Sequence, residues 1–354
     1  MLVFYVLASA DRIFRNSSLG SQTGYNALAD GMLSQIQWWH DANNYKLEIF
    51  SKLNFVRAFM QWKNSRQMNQ YIGAELDKRH AEYKADPESA KGVSIMDMVL
   101  RAYLSETPSP PAHLDAEFRA SVIRQIRLFV FAGHDSTATS IVYTFHLLSK
   151  HPEVLARLRA EHDDVLGPDP KAAASKISDD PRLVNSLTYT LAVIKEAMRL
   201  FPPAGASRDG VSGVNITDDA GNSCPTDDTI LWVLHGELHQ GDKYWVKAQE
   251  FLPERWMVPP GHLLYPRPGT WRSFEVGPRN CIAQAMVLIE LRVVLACLVR
   301  TFDVTPAYGE WDEKRGATGN RHVRGERVYQ IERGAADPVG GYPCRITLAK
   351  PSTK

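Results

Sequence analysis

From residue 118 onward, the apolar positions Phe118, Val122, Ile126, Phe129, Val130, Gly133, Thr137, Ile141, Phe145 and Leu148 step by three or four. That spacing predicts one helical face sustained for about thirty residues. Asp115 stands just ahead of it as an N-cap. Pro152 takes the favoured first position of a second helix, which runs through Val154, Leu155, Leu158 and Val165 to Gly167-Pro168. A third helix is predicted from about Val184 to Leu200, stopped by Phe201-Pro202-Pro203, and another from Ile282 to Val299. Leu28 to Lys84 reads as mainly helical, with breaks at Asp86-Pro87 and Lys91-Gly92 and a loop at Thr107 to Pro111. Residues 205–235 read as short strands between Gly, Asp and Asn turns. Residues 251–280 read as irregular, being rich in Pro, Gly and Arg, and residues 301–354 as short strands and turns. Met1 to Ala10 is apolar, but too short to span a membrane and without the basic start of a secretory signal. It reads as the start of a buried helix.

Composition narrows the class. Of 354 residues, 44% are apolar and 23% charged, so the body of the chain is globular and not disordered. Lys and Arg number 41 against 40 Asp and Glu, a net charge of +1, and no global field draws the chain to nucleic acid or an acidic membrane. Four cysteines, Cys224, Cys281, Cys297 and Cys344, make neither a disulfide framework nor a CxxC zinc pair. They indicate a reducing, cytoplasm-like compartment. No run of about 18 apolar residues occurs, so no membrane span is predicted in this chain.

Three constellations carry chemistry. In Phe274-Glu275-Val276-Gly277-Pro278-Arg279-Asn280-Cys281-Ile282-Ala283, a cysteine ends a Gly/Pro loop just before a helix. The unpaired N–H groups and positive end of that helix favour a thiolate. A thiolate can donate electron density to a haem iron; Gly277 permits the turn, Ala283 leaves room for a flat macrocycle, and Arg279 can meet a propionate. A small buried hydrophobe or a nucleophile fits a lone cysteine equally well. Glu196 and Arg199 lie three apart on one helix face, as a surface ion pair would too. Gly133, Asp135, Ser136 and Thr137 are poor helix material at the centre of the long helix, and a broken local rule there marks a candidate site; a buried Ser/Thr-rich helix with back-bonded hydroxyls is the plainer alternative.

The Phe274–Cys281 segment resembles the FxxGxRxC haem-binding signature of the cytochrome P450 family, with Ala283 where that family usually has Gly. Glu196-Ala197-Met198-Arg199 resembles its ExxR motif. Phe251 to Trp256 resembles the motif whose arginine, here Arg255, joins Glu196 and Arg199 in a buried ion triad. Ala132 to Thr137 resembles the oxygen-activation site, with Ser136 in place of the usual Thr. The motifs stand in family order from about residue 115 to the C-terminus. The resemblance implies a mainly α fold with a small β region, a single P450-like domain over residues 1–354 that lacks the N-terminal helices.

It further implies haem b with Cys281 as axial ligand, Phe274, Gly277, Ala283 and Arg279 around it, and Arg208 as a second propionate partner. His235 or His239 would be a further propionate partner, and Tyr342 to Cys344 would line the substrate cavity. Gly133, Asp135 and Ser136, with Thr137 as understudy, would admit O2 and relay protons. The implied reaction inserts one oxygen atom from O2 into a small organic substrate, in a fungal-like secondary metabolism. Electrons would come from NADPH through NADPH-cytochrome P450 reductase. The alternatives are a truncated, non-catalytic homologue and a haem-thiolate isomerase or dehydratase that does not use O2. Full-length relatives are typically anchored to the endoplasmic reticulum; this short form is expected to be a truncated product. Trp62-x-x-x-Arg66 spells the family's propionate-binding motif, but lies too close to Gly133 and reads as a chance match.

Overall fold

A computed structural model describes residues 28, 31–32, 34–35, 55–86, 94–106, 111–316, 321–333 and 335–349. The apolar opening Met1–Ala10, the break at Lys91-Gly92, Pro87 and most of the Thr107–Pro111 loop lie outside the described residues. The chain divides into two compact units, one ending at Ala138 and the other beginning at Thr139.

The first unit contains α1 (Phe55–Ala85), α2 (Ile95–Ser105) and the opening turns of α3 (Ala116–Lys150). Met68, Ile72 and Leu76 recur every four residues on α1 and are buried with Met96, Leu100, Val122, Ile126 and Val130. That is the stripe expected of helices that meet along one face. Helix α2 begins on a capping box, in which Ser94 accepts from the Asp97 N–H and Asp97 from the Ser94 N–H. Asp115 caps α3 as its position predicts, accepting from the N–H groups of Glu117 and Phe118 at 2.9 Å each. Arg119 donates to Asp77 at 2.8 Å. It reaches across Gly73, where a Cβ would stand 2.2 Å from its guanidinium and would push that flexible side chain aside. Phe129, placed on the inner face by its spacing, is 40% exposed.

The second unit holds the rest of α3, then α4 (Pro152–Leu166), α5 (Ala173–Asp179), α6 (Thr188–Leu200), α7 (His235–Gln240), α8 (Gln284–Leu298) and α9 (Tyr308–Lys314). Its main core joins Ile141, Phe145 and Leu148 of α3 to Leu158 of α4, Val193, Ile194 and Ala197 of α6, and Leu291 and Leu295 of α8. Strands β1 (Ala206–Asp209) and β4 (Ile230–Val233) pair antiparallel, as do β2 (Asn215–Thr217) with β3 (Ser223–Pro225). So do β5 (Phe302–Pro306) with β8 (Cys344–Leu348), and β6 (Gln330–Arg333) with β7 (Ala335–Pro338). Helix α9 interrupts a tail expected to be strands and turns alone.

Two helix starts differ from expectation. Residues 181–186 form a 3-10 turn, and α6 begins at Thr188 rather than near Val184. Its first residues have no local cap. Glu161 of α4 supplies one, accepting the Tyr189 N–H at 2.6 Å and the Thr190 N–H at 2.8 Å. Helix α8 begins at Gln284, because residues Cys281 to Ala283 form a turn first.

Candidate active site

The buried centre of the second unit is a carboxylate. Glu196 is fully buried and its two oxygens accept from four residues. Arg199 donates from Nε at 3.0 Å and from Nη2 at 2.9 Å. Arg255 donates from Nε at 2.8 Å, the Leu252 amide at 3.1 Å and Trp256 Nε1 at 3.0 Å. Both arginines spend their remaining donors on backbone carbonyls: Arg199 on His239, Ala248 and Glu250, Arg255 on Val246 and Lys247. Both guanidiniums also lie over the Trp245 ring, at 5.1 and 5.6 Å. A charge taken out of water is tolerable only when paired and hydrogen-bonded like this.

The Cys281 loop hangs from the same helix. The Ser273 hydroxyl donates to the Met198 carbonyl at 3.0 Å, and the Arg272 amide donates to His239 Nε2 at 2.8 Å. The Cys281 amide closes the loop on the Phe274 carbonyl at 2.8 Å, and buried Phe274 anchors it in the core. Gly277 turns at φ +80°, where a side chain would be strained. Ala283 is the N-cap residue of α8, and the Cys281 carbonyl accepts from the Gln284 amide at 3.3 Å. Glu275, also in the left-handed region at φ +59°, places its carboxylate beside Arg272 at 2.6 Å, His235 at 3.6 Å and Arg208 at 3.8 Å.

The loop presents a surface that fits haem. The Cys281 thiol is exposed, and around it Val276, Ile282 and Met286 expose apolar side chains, Ile282 by 87%. Two arginines lie beside that apolar patch. Arg279 is exposed and Arg208 is 45% exposed on β1. His235 donates from Nδ1 to the Ala204 carbonyl at 2.8 Å, while its buried Nε2 makes no hydrogen bond. A thiol set in apolar surface with arginines beside it matches a flat, apolar macrocycle with carboxylates on its edge. Of the two histidines expected near the propionates, His239 spends both ring nitrogens on the protein, and His235 Nε2 faces the Glu275 carboxylate at 3.6 Å. Among the described residues, no group of three or more His, Cys, Asp or Glu side chains could hold a bare metal ion.

Gly133, Asp135, Ser136 and Thr137 lie on α3 within the first unit. Asp135 and Thr137 are buried, and the Ser136 hydroxyl donates to the Ala132 carbonyl at 2.9 Å, one turn back. Trp62 and Arg66 stack on each other on the exposed face of α1, 5.6 Å apart. Tyr342 joins Tyr143 and Tyr308 in a buried aromatic cluster, while Cys344 is exposed on β8. Glu275, Arg272, Trp256 and the bonding of His239 went unread in the sequence. Apart from the local Arg272–Glu275 pair, their partners lie far along the chain, so no spacing signals them; the only cue was an acid inside the FxxGxRxC loop.

The family model for cytochrome P450 matches residues 20–328. The chain belongs to the cytochrome P450 family. It is 37% identical over 342 residues to cytochrome P450 monooxygenase polC of Polytolypa hystricis, covering 95% of this chain and 60% of that protein. To cytochrome P450 monooxygenase acrF of Aspergillus aculeatus it is 33% identical, covering 83% of this chain and 63% of that protein. A shorter relative, cytochrome P450 monooxygenase PC-23 of Penicillium crustosum, is 30% identical over 58% of this chain and 98% of its own length. This P450 chain thus spans about 60% of the length of polC. Among the described residues, no helix is long and apolar enough to cross a membrane.

Proposed function

We propose that this P450 chain is a haem-thiolate monooxygenase that inserts one atom of O2 into a small organic substrate. The second oxygen atom leaves as water, with two electrons from NADPH through a reductase and two protons. The observation that carries the reading is the exposed Cys281 thiol, in an apolar loop with arginines beside it, hung from the helix that carries two members of a fully buried ion triad. Haem bound there supplies the O2 chemistry.

The chain's own residues have separate tasks. Cys281 holds the cofactor by its thiolate. Arg279 and Arg208 neutralise its carboxylates, and Phe274, Gly277 and Ala283 shape the loop against its face. The Glu196–Arg199–Arg255 cluster keeps that loop in one place. Asp135 and Ser136 hold and pass protons from α3, where Gly133 relaxes the helix and Thr137 offers a second hydroxyl; this assignment rests on the family resemblance. The fungal monooxygenases among its relatives support a role in secondary metabolism.

The experiment is turnover with labelled O2, NADPH and a fungal reductase against a panel of apolar fungal metabolites. One labelled oxygen in the product is expected. In Asp135→Asn and Ser136→Ala, haem should still bind while product per NADPH falls about tenfold, with peroxide appearing instead. Parental coupling in both variants would place the proton path elsewhere, and a product carrying no labelled oxygen would favour isomerase or dehydratase chemistry.

A further inference from the structure

Helix α6 ends with carbonyls that have no partner inside the helix. Three side chains from elsewhere take them. Ser273 donates to Met198, His239 to Arg199 at 3.2 Å, and Gln240 to Leu200 at 2.6 Å. Ser273 belongs to the Cys281 loop; His239 and Gln240 belong to α7. His239 alone faces both ways. Its Nδ1 meets a carbonyl, which can only accept, so Nδ1 carries the hydrogen. Its Nε2 meets the Arg272 amide, which can only donate, so Nε2 offers a lone pair. The partners fix one neutral tautomer.

We propose that His239 is the positioning residue through which the buried ion triad sets the Cys281 loop. The inference rests on Cys281 being the haem ligand. On the triad side the bonding is reciprocal: His239 donates to the Arg199 carbonyl, and Arg199 Nη1 donates to the His239 carbonyl at 2.6 Å. The guanidinium that holds Glu196 therefore also holds the residue that holds the loop. On the loop side, the Arg272 amide is the entry to the Cys281 turn. The Arg272 carbonyl accepts from the Glu275 amide at 2.9 Å, and two residues beyond Arg272 the Phe274 carbonyl takes the Cys281 amide. His239 is fully buried, and burial together with His235, Arg199 and Arg272 pushes its pKa down to about 3, so it stays neutral at any working pH. A ring that carried a proton on Nε2 could not accept from Arg272.

The two bonds can be separated. In His239→Gln the amide oxygen reaches the place of Nε2 and keeps the acceptor for Arg272. In His239→Asn the shorter amide keeps the donor for Arg199 and loses the loop. His239→Phe keeps the ring and loses both. Amide hydrogen exchange over residues 272–281 of the full chain reads the loop directly and needs no haem. The expected result is exchange at least tenfold faster in His239→Asn and His239→Phe, near-parental exchange in His239→Gln, and parental helix content in the two amide variants. The reduced, carbon-monoxide-bound spectrum of the haem-loaded chain is the second readout. The Asn variant should lose its red-shifted thiolate band at least fivefold faster than the Gln variant. Equal exchange in the Asn and Gln variants would overturn the proposal, since a packing role treats the two amides alike. Absence of the band in the parent would overturn the haem-thiolate reading instead, leaving the exchange result to decide the relay.

Discussion

In the first unit, the charged side chains that join helices sit at the surface. Arg119 and Asp77, which tie α3 to α1, are 36% and 53% exposed. In the second unit, the charges that join helices to loops are at the centre, with Glu196, Arg199 and Arg255 all at 0% exposure. The first unit is held by a stripe of apolar side chains, and its ion pairs are additions to it. The second relies on an ionic cluster in which every guanidinium nitrogen has an acceptor, a costly arrangement to build and a more costly one to break. The difference follows from what each must hold. Apolar faces tolerate small shifts, whereas a turn carrying one cysteine must sit in one place, and directional hydrogen bonds give that precision.

Four changes would sharpen or break this contrast. The largest effect is expected from Glu196→Ala, which strands two buried guanidiniums and should cost about 3–5 kcal/mol, with loss of haem. Denaturant unfolding with a haem-retention assay measures both, and a variant that keeps parental stability would erase the contrast.

Acid comes next. His162, whose pKa burial and Arg300 lower to about 4, and His239, lowered to about 3, both stay neutral in the folded chain. The unfolded chain protonates both near pH 6.5. Below that value the unfolded state binds more protons, so stability falls as pH falls, until the folded pKa values are reached. Each buried histidine contributes about 1.4 kcal/mol per pH unit in that window. Unfolding midpoints between pH 6.5 and 4.5 check the slope. His162→Phe should flatten it, and an unchanged slope in that variant would remove His162 from the account.

Glu161→Ala uncaps α6 from the side of α4 and should cost about 1–2 kcal/mol, less than a triad member because it frees two N–H groups and strands no buried charge. Arg119→Ala should cost under about 1 kcal/mol, as exposed pairs do. A cost for Arg119→Ala equal to that of Glu196→Ala would mean that both units rest on their ions alike.

What could be read from the sequence follows the same division. The stepping of Phe118 to Leu148 announced α3, and Asp115 its cap, because helix periodicity and capping are local. Glu196, Arg199 and Arg255 were legible through their motifs, and so was the Cys281 loop. The start of α6 was not, because its cap, Glu161, comes from another helix. Helix α9 was missed because Tyr308–Lys314 is short and carries no apolar period. The sequence offered His235 or His239 as a propionate partner without separating them; the hydrogen-bond partners of His239, Arg199 and Arg272, lie 40 and 33 residues away and leave no local mark. Glu275 stood in plain view three residues from Arg272, yet nothing local shows that an acid there also meets His235 and Arg208.

The central claim is that the ion triad exists to present Cys281 as a thiolate ligand. The most direct measurement is the absorption spectrum of the haem-loaded chain, reduced and carbon-monoxide-bound, beside that of Cys281→Ala. The account predicts a strongly red-shifted Soret band in the parent and its complete loss in the variant, with helix content by circular dichroism unchanged. The same red-shifted band in Cys281→Ala, or none in a haem-loaded parent, would contradict it.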